Sequence, residues 1–367
     1  MNTALIPAAK PIIGDDERAA VDRVLRSGMI AQGPEVAAFE LEFADVLVGG
    51  RTTVAVNSGT TGLHLGLLAA GVGPGDEVVV PSFTFAATAN SVALTGATPV
   101  FADIEPDYFG LSPAAVEATV TDRTVGIMPV HLYGHPADLT RLSAVAENHG
   151  LKLFEDAAQA HGATWQGAPV GTFGTFAMFS LYPTKNMTSV EGGMVSCETE
   201  EIARQLRLLR NQGMERRYAN EIIGFNGRMT DVHAAIGRVQ LTRVEGWTET
   251  RRANAAFLDR NLENVVVPPV GPEATHVYHQ YTIRVEAGER DRIVAELREQ
   301  YQVGSGVYYP IPNHELVSLQ RFGPAHDLPE TRRAAAEVIS LPVHPSLTEG
   351  DLERIVSAVN KLAAAGA

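Results

Sequence analysis

Five stretches of the sequence hold side chains whose type and spacing could do chemistry. Phe179-Ser180-Leu181-Tyr182-Pro183-Thr184-Lys185-Asn186 runs from an apolar strand into a polar turn with one lysine, and Glu191-Gly192-Gly193-Met194 follows. Lysine is costly to bury unless it is paired, neutral or used covalently. Covalent use means an imine with a carbonyl compound; a solvent-exposed lysine is the alternative. Leu151 to Gly162 (LKLFEDAAQAHG) is an apolar strand ending in two acids. Ligands of α/β sheets gather at the carboxyl ends of strands, and strand alternation sends one acid inward and one outward. The alternative is a pair of solvated or helix-capping acids. Asn57-Ser58-Gly59-Thr60-Thr61-Gly62 lies between a strand and a helix. Its small residues and the free N–H groups of a helix start would suit a phosphate; a capped turn reads equally well. No Gly-Lys-Ser/Thr follows, so it is not a Walker A loop. Gly224 to Asp231 (GFNGRMTD) offers Asn226 and Arg228 in a tight turn before a helix, where they could reach a phosphate or only cap the helix. Gly71-Val72-Gly73-Pro74-Gly75-Asp76 precedes a strand instead of following one, so it reads as a turn and not as a dinucleotide fingerprint.

Other chemistries find little support. His131 and His135 have helical metal spacing, but Gly134 and Pro136 oppose a helix there, and no His-Glu-x-x-His occurs, so no metal site is expected. No Gly-x-Ser-x-Gly elbow of a hydrolase is present.

The elements that must hold these stretches alternate between strand and helix. Helices are expected over 14–28, 35–47, 61–70, 85–95 and 137–149. Strands are expected at Val54–Asn57, Val78–Pro81, Pro99–Asp103, Val125–Val130, Leu151–Glu155, Phe176–Leu181 and Met194–Cys197. Several strands are unbroken apolar runs, the mark of a sheet covered on both faces. The alternation suggests a largely parallel sheet with right-handed crossovers. From about residue 230 the texture changes. Thr230–Leu262 reads as one long helical stretch broken near Gly246, followed by a strand at Tyr281–Val285, a helix over 291–300, a Tyr/Pro-rich loop (VYYPIPNHE) and a last helix over 348–364. The fold class is α/β: a large, mostly parallel-sheet domain over residues 1–245 and a smaller C-terminal α+β domain over 246–367.

The 367 residues suffice for two such domains. With 29 Lys plus Arg against 43 Asp plus Glu, the net charge of −14 argues against general affinity for nucleic acid or anionic lipid. The single cysteine, Cys197, excludes an internal disulfide. No apolar run is long enough to span a bilayer, and Met1–Ala20 lacks the pattern of a secretory leader. A cytoplasmic enzyme without a membrane or nucleic-acid partner is expected.

The order and spacing of SGTTGLHLGLLA, GDEVVVPSFTFAATANSV, EDAAQAHGA, FSLYPTKNMTSVEGGM and GFNGRMTDVHAAIGRVQL resemble the DegT/DnrJ/StrS family of sugar aminotransferases. The likeness runs from about Pro11 to Leu241, and more weakly onward through HQYTIR, GVYYPIP and SLPVHP. It implies the fold-type-I architecture of enzymes that use pyridoxal 5′-phosphate (PLP), as a homodimer with active sites at the subunit interface. It also implies that Lys185 is the Schiff-base lysine, and that PLP alternates with pyridoxamine 5′-phosphate in a ping-pong scheme. By the same resemblance Asp156 pairs with the pyridine nitrogen, leaving Glu155 as the outward acid. Gln159 contacts the 3′-oxygen side of the cofactor, and Phe85 stacks on the ring, unless it is a core residue. Gly59, Thr60 and Ser180 bind the phosphate with the dipole of helix 61–70. Asn226 and Arg228 reach the phosphate or substrate of the neighbouring subunit. Dehydratase relatives carry His at the Lys185 position, so lysine here favours transamination. Val190 and Gly227 stand where Gly or Ala and an aromatic, respectively, are common. The implied partners are L-glutamate as donor and a nucleotide keto-sugar as acceptor. A keto-cyclitol acceptor and a non-catalytic regulatory protein on the same fold are the alternatives. Tyr308, Tyr309 and His314 could approach the sugar or pack on the domain interface. Arg216, Arg217 and Arg228 are candidates for the nucleotide.

Overall fold

The computed structural model describes residues 4–365. Two helices, α1 (Asp15–Ser27) and α2 (Pro34–Leu47), lead in. In α1 the Glu17 carboxylate accepts from the Gly14 N–H at 2.8 Å, acids fill the first turn, and Gly28 ends it with φ 72°. The central region alternates as expected: β1 (Thr53–Val56), α3 (Gly59–Ala69), β2 (Glu77–Pro81), α4 (Ala87–Leu94), β3 (Thr98–Ala102), α5 (Pro113–Thr119), β4 (Thr124–Ile127), α6 (Leu139–His149) and β5 (Lys152–Asp156). Two short strands follow, β6 (Thr164–Trp165) and β7 (Ala168–Pro169). Then come β8 (Phe176–Ser180), β9 (Gly193–Cys197), α7 (Glu200–Arg210) and the hairpin β10 (Met214–Arg216) and β11 (Ala219–Asn220).

Seven strands form one sheet in the order β1-β9-β8-β5-β4-β2-β3. β8, β5, β4, β2 and β3 are parallel, and β9 runs antiparallel to both of its neighbours. β1, β2, β8 and β9 are buried along their whole length, as their unbroken apolar sequence requires. α3 lies so close to the sheet that a Cβ on Gly66 would sit 2.6 Å from the Phe176 ring, which is why glycine occupies that face of the helix.

The C-terminal part holds α8 (Asp231–Leu241), α9 (Val244–Asn261), β12 (Ala274–Thr275), β13 (Tyr281–Arg284), α10 (Arg290–Tyr301), α11 (Pro329–Glu337), β14 (Val338–Leu341) and α12 (Glu349–Ala364). The long helical stretch breaks at Thr242–Arg243, not near Gly246. Gly246 lies in the first turn of α9, where a Cβ would meet nothing, and so close to a helix end glycine costs little. Residue 245, near which the domain boundary is expected, lies in the first turn of α9. Val244 packs with Phe39 and Phe43 of α2. Ala255 and Leu258, further along α9, pack with Tyr281, Ile283, Leu297 and Ile355 in a separate core that also takes in Ile6. β13 and β14 pair antiparallel. Among the described residues no helix is long and apolar enough to cross a membrane.

Candidate active site

The parallel strands β2, β4, β5 and β8 end on one rim of the sheet. The residues just beyond each end, Phe85, Tyr133, Gln159 and Lys185, line one cavity of about 440 Å³. Crevices beyond the carboxyl ends of strands are where doubly wound sheets bind ligands.

Asp156, the last residue of β5, is 4% exposed. Thr88 of α4 donates to its Oδ2 at 2.8 Å, and the Ala158 N–H donates to Oδ1 at 3.2 Å. Burial pushes its carboxyl above the ordinary range, against these hydrogen bonds and the Lys185 charge. Among the described residues no cation lies within ion-pair distance. Lys185 sits in the turn after β8, where its N–H donates to the Tyr182 carbonyl at 3.0 Å. Burial lowers its amine to about 8, with the charge of Asp156 pulling the other way. Roughly a tenth of the amine is then unprotonated at pH 7, against well under a thousandth for an ordinary lysine. Two nearby imidazoles, His161 and His279, are held neutral, first by burial and then by the Lys185 charge. The chain has only four lysines, Lys10, Lys152, Lys185 and Lys361, and Lys185 alone lines this cavity.

Ser58, Gly59, Thr60 and Ser180 close one end. α3 begins at Gly59, two residues before the expected start, so Gly59 and Thr60 form its first turn. Their N–H groups have no helical acceptor. The Ser58 hydroxyl caps the helix by accepting from Thr61 N at 3.1 Å. A Cβ on Gly59 would lie 3.2 Å from the Ser180 Cβ, and one on Gly193 2.9 Å from the Ser58 carbonyl. This end is therefore a tight cradle of N–H and hydroxyl donors at a positive helix end, suited to a phosphate.

Phe85 is 58% exposed and lines the cavity, which removes the core reading for it; Phe83 is the buried neighbour. Its ring faces Tyr309 at 5.9 Å. The Gln159 carbonyl oxygen accepts from the Tyr133 N–H at 2.6 Å, and its amide donates to the Tyr309 hydroxyl at 3.2 Å. Tyr308 and Tyr309 both line the cavity.

Several expectations need correction. His314 is outside the lining: Ser82 holds it through both its N–H, at 3.1 Å, and its Nδ1, at 2.7 Å. Its ring is buried behind β2 with Phe101. Glu155 points away from Asp156 but not outward to solvent. It is wholly buried and accepts from the N–H groups of Gly171, Phe173 and Gly174 and from His131 Nε2. Outside these corrections, Asn226 and Arg228 do not line this chain's own cavity, in keeping with residues expected to serve a neighbouring subunit. Asn226 is exposed, and Arg228 donates to Asn211 at 2.8 Å. His135 stacks on Tyr108 and accepts from Gly271 N.

Sequence reasoning missed Thr88, Tyr133, Tyr182, Glu191, His279 and Gln280. Tyr133 follows the apolar strand β4, so the strand-end rule that selected Asp156 could have found it; Gln280 precedes β13, which that rule does not reach. Nothing in the spacing singles out Thr88.

The family model of the DegT/DnrJ/EryC1/StrS aminotransferases matches residues 11–360. The chain belongs to this family. Similar relatives are a pleiotropic regulatory protein of Geobacillus stearothermophilus, 42% identical over 92% of either chain, and the GDP-perosamine synthase of Caulobacter vibrioides, 39% identical over 97% of this chain and 98% of the relative. Among solved structures, S. venezuelae DesV in complex with a ketimine intermediate superposes with a TM-score of 0.92 at 38% identity, covering 98% of this chain and 99% of that one. Spr1654 from Streptococcus pneumoniae in its PLP form gives 0.93 at 28% identity, covering 98% and 99%. The architecture is that of the fold-type-I PLP enzymes, and this DegT-family chain is an aminotransferase.

The cavity fits the cofactor of the family. A buried carboxylate with two hydrogen bonds and no cation partner suits a protonated ring nitrogen. A buried amine of lowered pKa suits an aldehyde, and the cradle at α3 suits a phosphate.

Proposed function

We propose that this aminotransferase moves an amino group from L-glutamate to a nucleotide-linked keto-sugar, with PLP bound covalently through Lys185. The observation that carries this reading is the pairing of a buried amine of lowered pKa with a buried carboxylate that has no ion-pair partner among the described residues, in one cavity. PLP supplies an aldehyde that exchanges amines and a ring that withdraws electrons when its nitrogen is protonated. Asp156 holds that proton on the ring nitrogen, and Thr88 and the Ala158 N–H keep the carboxylate aimed. Gly59, Thr60 and Ser180 would hold the phosphate, and Phe85 would pack against the ring. Lys185, once its amine is free, would take the proton from the donor's amine-bearing carbon and deliver it to the carbon that was the cofactor's aldehyde, the base and acid of one shift. Its pKa near 8 suits that task at neutral pH.

The name of the GDP-perosamine synthase relative supports a nucleotide-linked sugar as acceptor. The regulatory name of the Geobacillus relative raises the reading of a protein without turnover; the presence of Lys185 and Asp156 in one cavity favours catalysis. A keto-cyclitol acceptor would use the same cofactor residues. Gly227 packs so close to the start of α3 that a Cβ there would lie 3.1 Å from Thr61, and Asn226 beside it is exposed; from there a homodimer's Asn226 and Arg228 would serve the partner's site.

The test is amination driven by L-glutamate, with nucleotide keto-hexoses and a keto-inositol compared as acceptors. The reading expects glutamate to convert the bound cofactor to its amine form, and the nucleotide sugars to be preferred in kcat/KM. Preference for keto-inositol would establish the cyclitol reading. No change in cofactor absorbance on adding glutamate would favour the regulatory one.

A further inference from the structure

Tyr133 occupies a position that the sequence motifs leave unassigned. It lies in the turn after β4 with φ 60° and ψ 1°, a left-handed conformation that is uncommon for an aromatic residue and is kept where the surroundings enforce it. Three hydrogen bonds enforce it here. Its N–H donates to Gln159 Oε1 at 2.6 Å, its carbonyl accepts from Gln280 N at 3.1 Å, and its hydroxyl donates to the Tyr308 carbonyl. The ring is 4% exposed and packs edge-on against Phe109 at 5.6 Å. One residue thus joins the end of β5, the approach to β13 and the aromatic loop that forms the cavity wall. Gln159 extends the chain of contacts to the Tyr309 hydroxyl, and Tyr309 stands opposite Phe85.

We propose that Tyr133 is a positioning residue for the acceptor substrate. Its phenol clasps the Tyr308-Tyr309 segment and so fixes the distance between Tyr309 and Phe85, the width of the slot that an acceptor ring must enter. The proposal rests on the reading of this cavity as an aminotransferase site. The donor amino acid is smaller than a nucleotide-linked sugar, so it depends less on that width. A residue acting only on the fold, or only on the cofactor, would affect both substrates alike.

The variant Tyr133→Phe keeps the ring against Phe109 and both backbone bonds, and removes only the bond to the Tyr308 carbonyl. Three readouts apply to the PLP-loaded protein. Hydrogen exchange at residues 306–311 is expected to speed up about fivefold to tenfold, the equivalent of one net hydrogen bond. KM for a nucleotide keto-hexose is expected to rise by a similar factor, with kcat less affected. The single-turnover rate with L-glutamate and the PLP affinity by absorbance titration are expected to stay within twofold. Tyr281→Phe is the control: it removes another buried phenol bond, to Asp259 at 2.7 Å, and is expected to leave exchange at 306–311 unchanged. Unchanged exchange at 306–311 in Tyr133→Phe overturns the clasp whatever the enzyme's substrate is. Faster exchange with equal slowing of the donor and acceptor reactions overturns the acceptor-specific role. Faster exchange in a protein that turns over no keto-hexose leaves the clasp standing and refutes the substrate assignment on which it rests.

Discussion

Lys185 and Asp156 show how one cavity sets two groups of opposite charge to work. Burial disfavours the charged form of each, so the amine falls to about 8 and the carboxyl rises, while their mutual attraction limits both shifts. The sign of the pH dependence follows. Below about pH 8 the amine is mostly an ammonium and cannot attack an aldehyde; above it the amine is free. Reconstitution of the cofactor-free enzyme with PLP is therefore expected to accelerate tenfold per pH unit below about 8 and to level off above it. Stopped-flow absorbance at saturating PLP checks this. A rate that keeps climbing to pH 10 would mean that Lys185 has the pKa of an ordinary lysine. Sequence reading singled out both residues because Asp156 ends an apolar strand and Lys185 stands in the turn after another. The burial of Glu155 was not legible, because alternation tells which face a side chain takes and not what covers that face. Here the loop at 171–174 covers it with three N–H donors.

At the scale of elements, β5 is fixed from both faces. Asp156 is held on the cavity side by Thr88, and Glu155 on the other by the 171–174 loop and His131. Ala137 N donates to His131 Nδ1 at 3.0 Å, which leaves Nε2 to carry the proton toward Glu155. Removing the carboxylate would strand three buried N–H donors and the imidazole. Glu155→Ala is expected to lower unfolding stability by roughly 3–5 kcal/mol, as read by urea denaturation. A loss under 1 kcal/mol would show that the loop does not depend on it. Strands and most large-domain helices were readable because long apolar runs and caps mark them. α7 was not assigned, since arginines at 204, 207 and 210 interrupt its apolar positions, Ile202, Leu206 and Leu209. The break between α8 and α9 was misplaced because glycine is a weak signal in the first turn of a helix. His314 was misjudged for a similar reason: loop sequence shows polarity, but the partner that claims it, Ser82, is 232 residues away.

For the whole molecule, the proposed cofactor residues line one cavity of a single chain, while Asn226 is exposed and Arg228, half-buried and bonded to Asn211, lies outside that lining. This arrangement leads to a complementation experiment. Lys185→Ala and the double variant Asn226→Ala/Arg228→Ala are each expected to be strongly impaired. Mixed and allowed to exchange subunits, they should recover about a quarter of wild-type activity, the share of intact sites in randomly paired two-fold dimers. No recovery, with exchange verified by mass, would place those residues in service of their own chain or of none.

The proposed covalent link between Lys185 and the cofactor is tested most directly by reduction and mass mapping. The PLP-loaded enzyme is treated with borohydride, digested and sequenced by mass spectrometry, and only four lysines can carry the adduct. The expected result is one phosphopyridoxyl group per chain, on Lys185. An adduct on Lys10, Lys152 or Lys361 alone, or none at all with PLP bound, would contradict it.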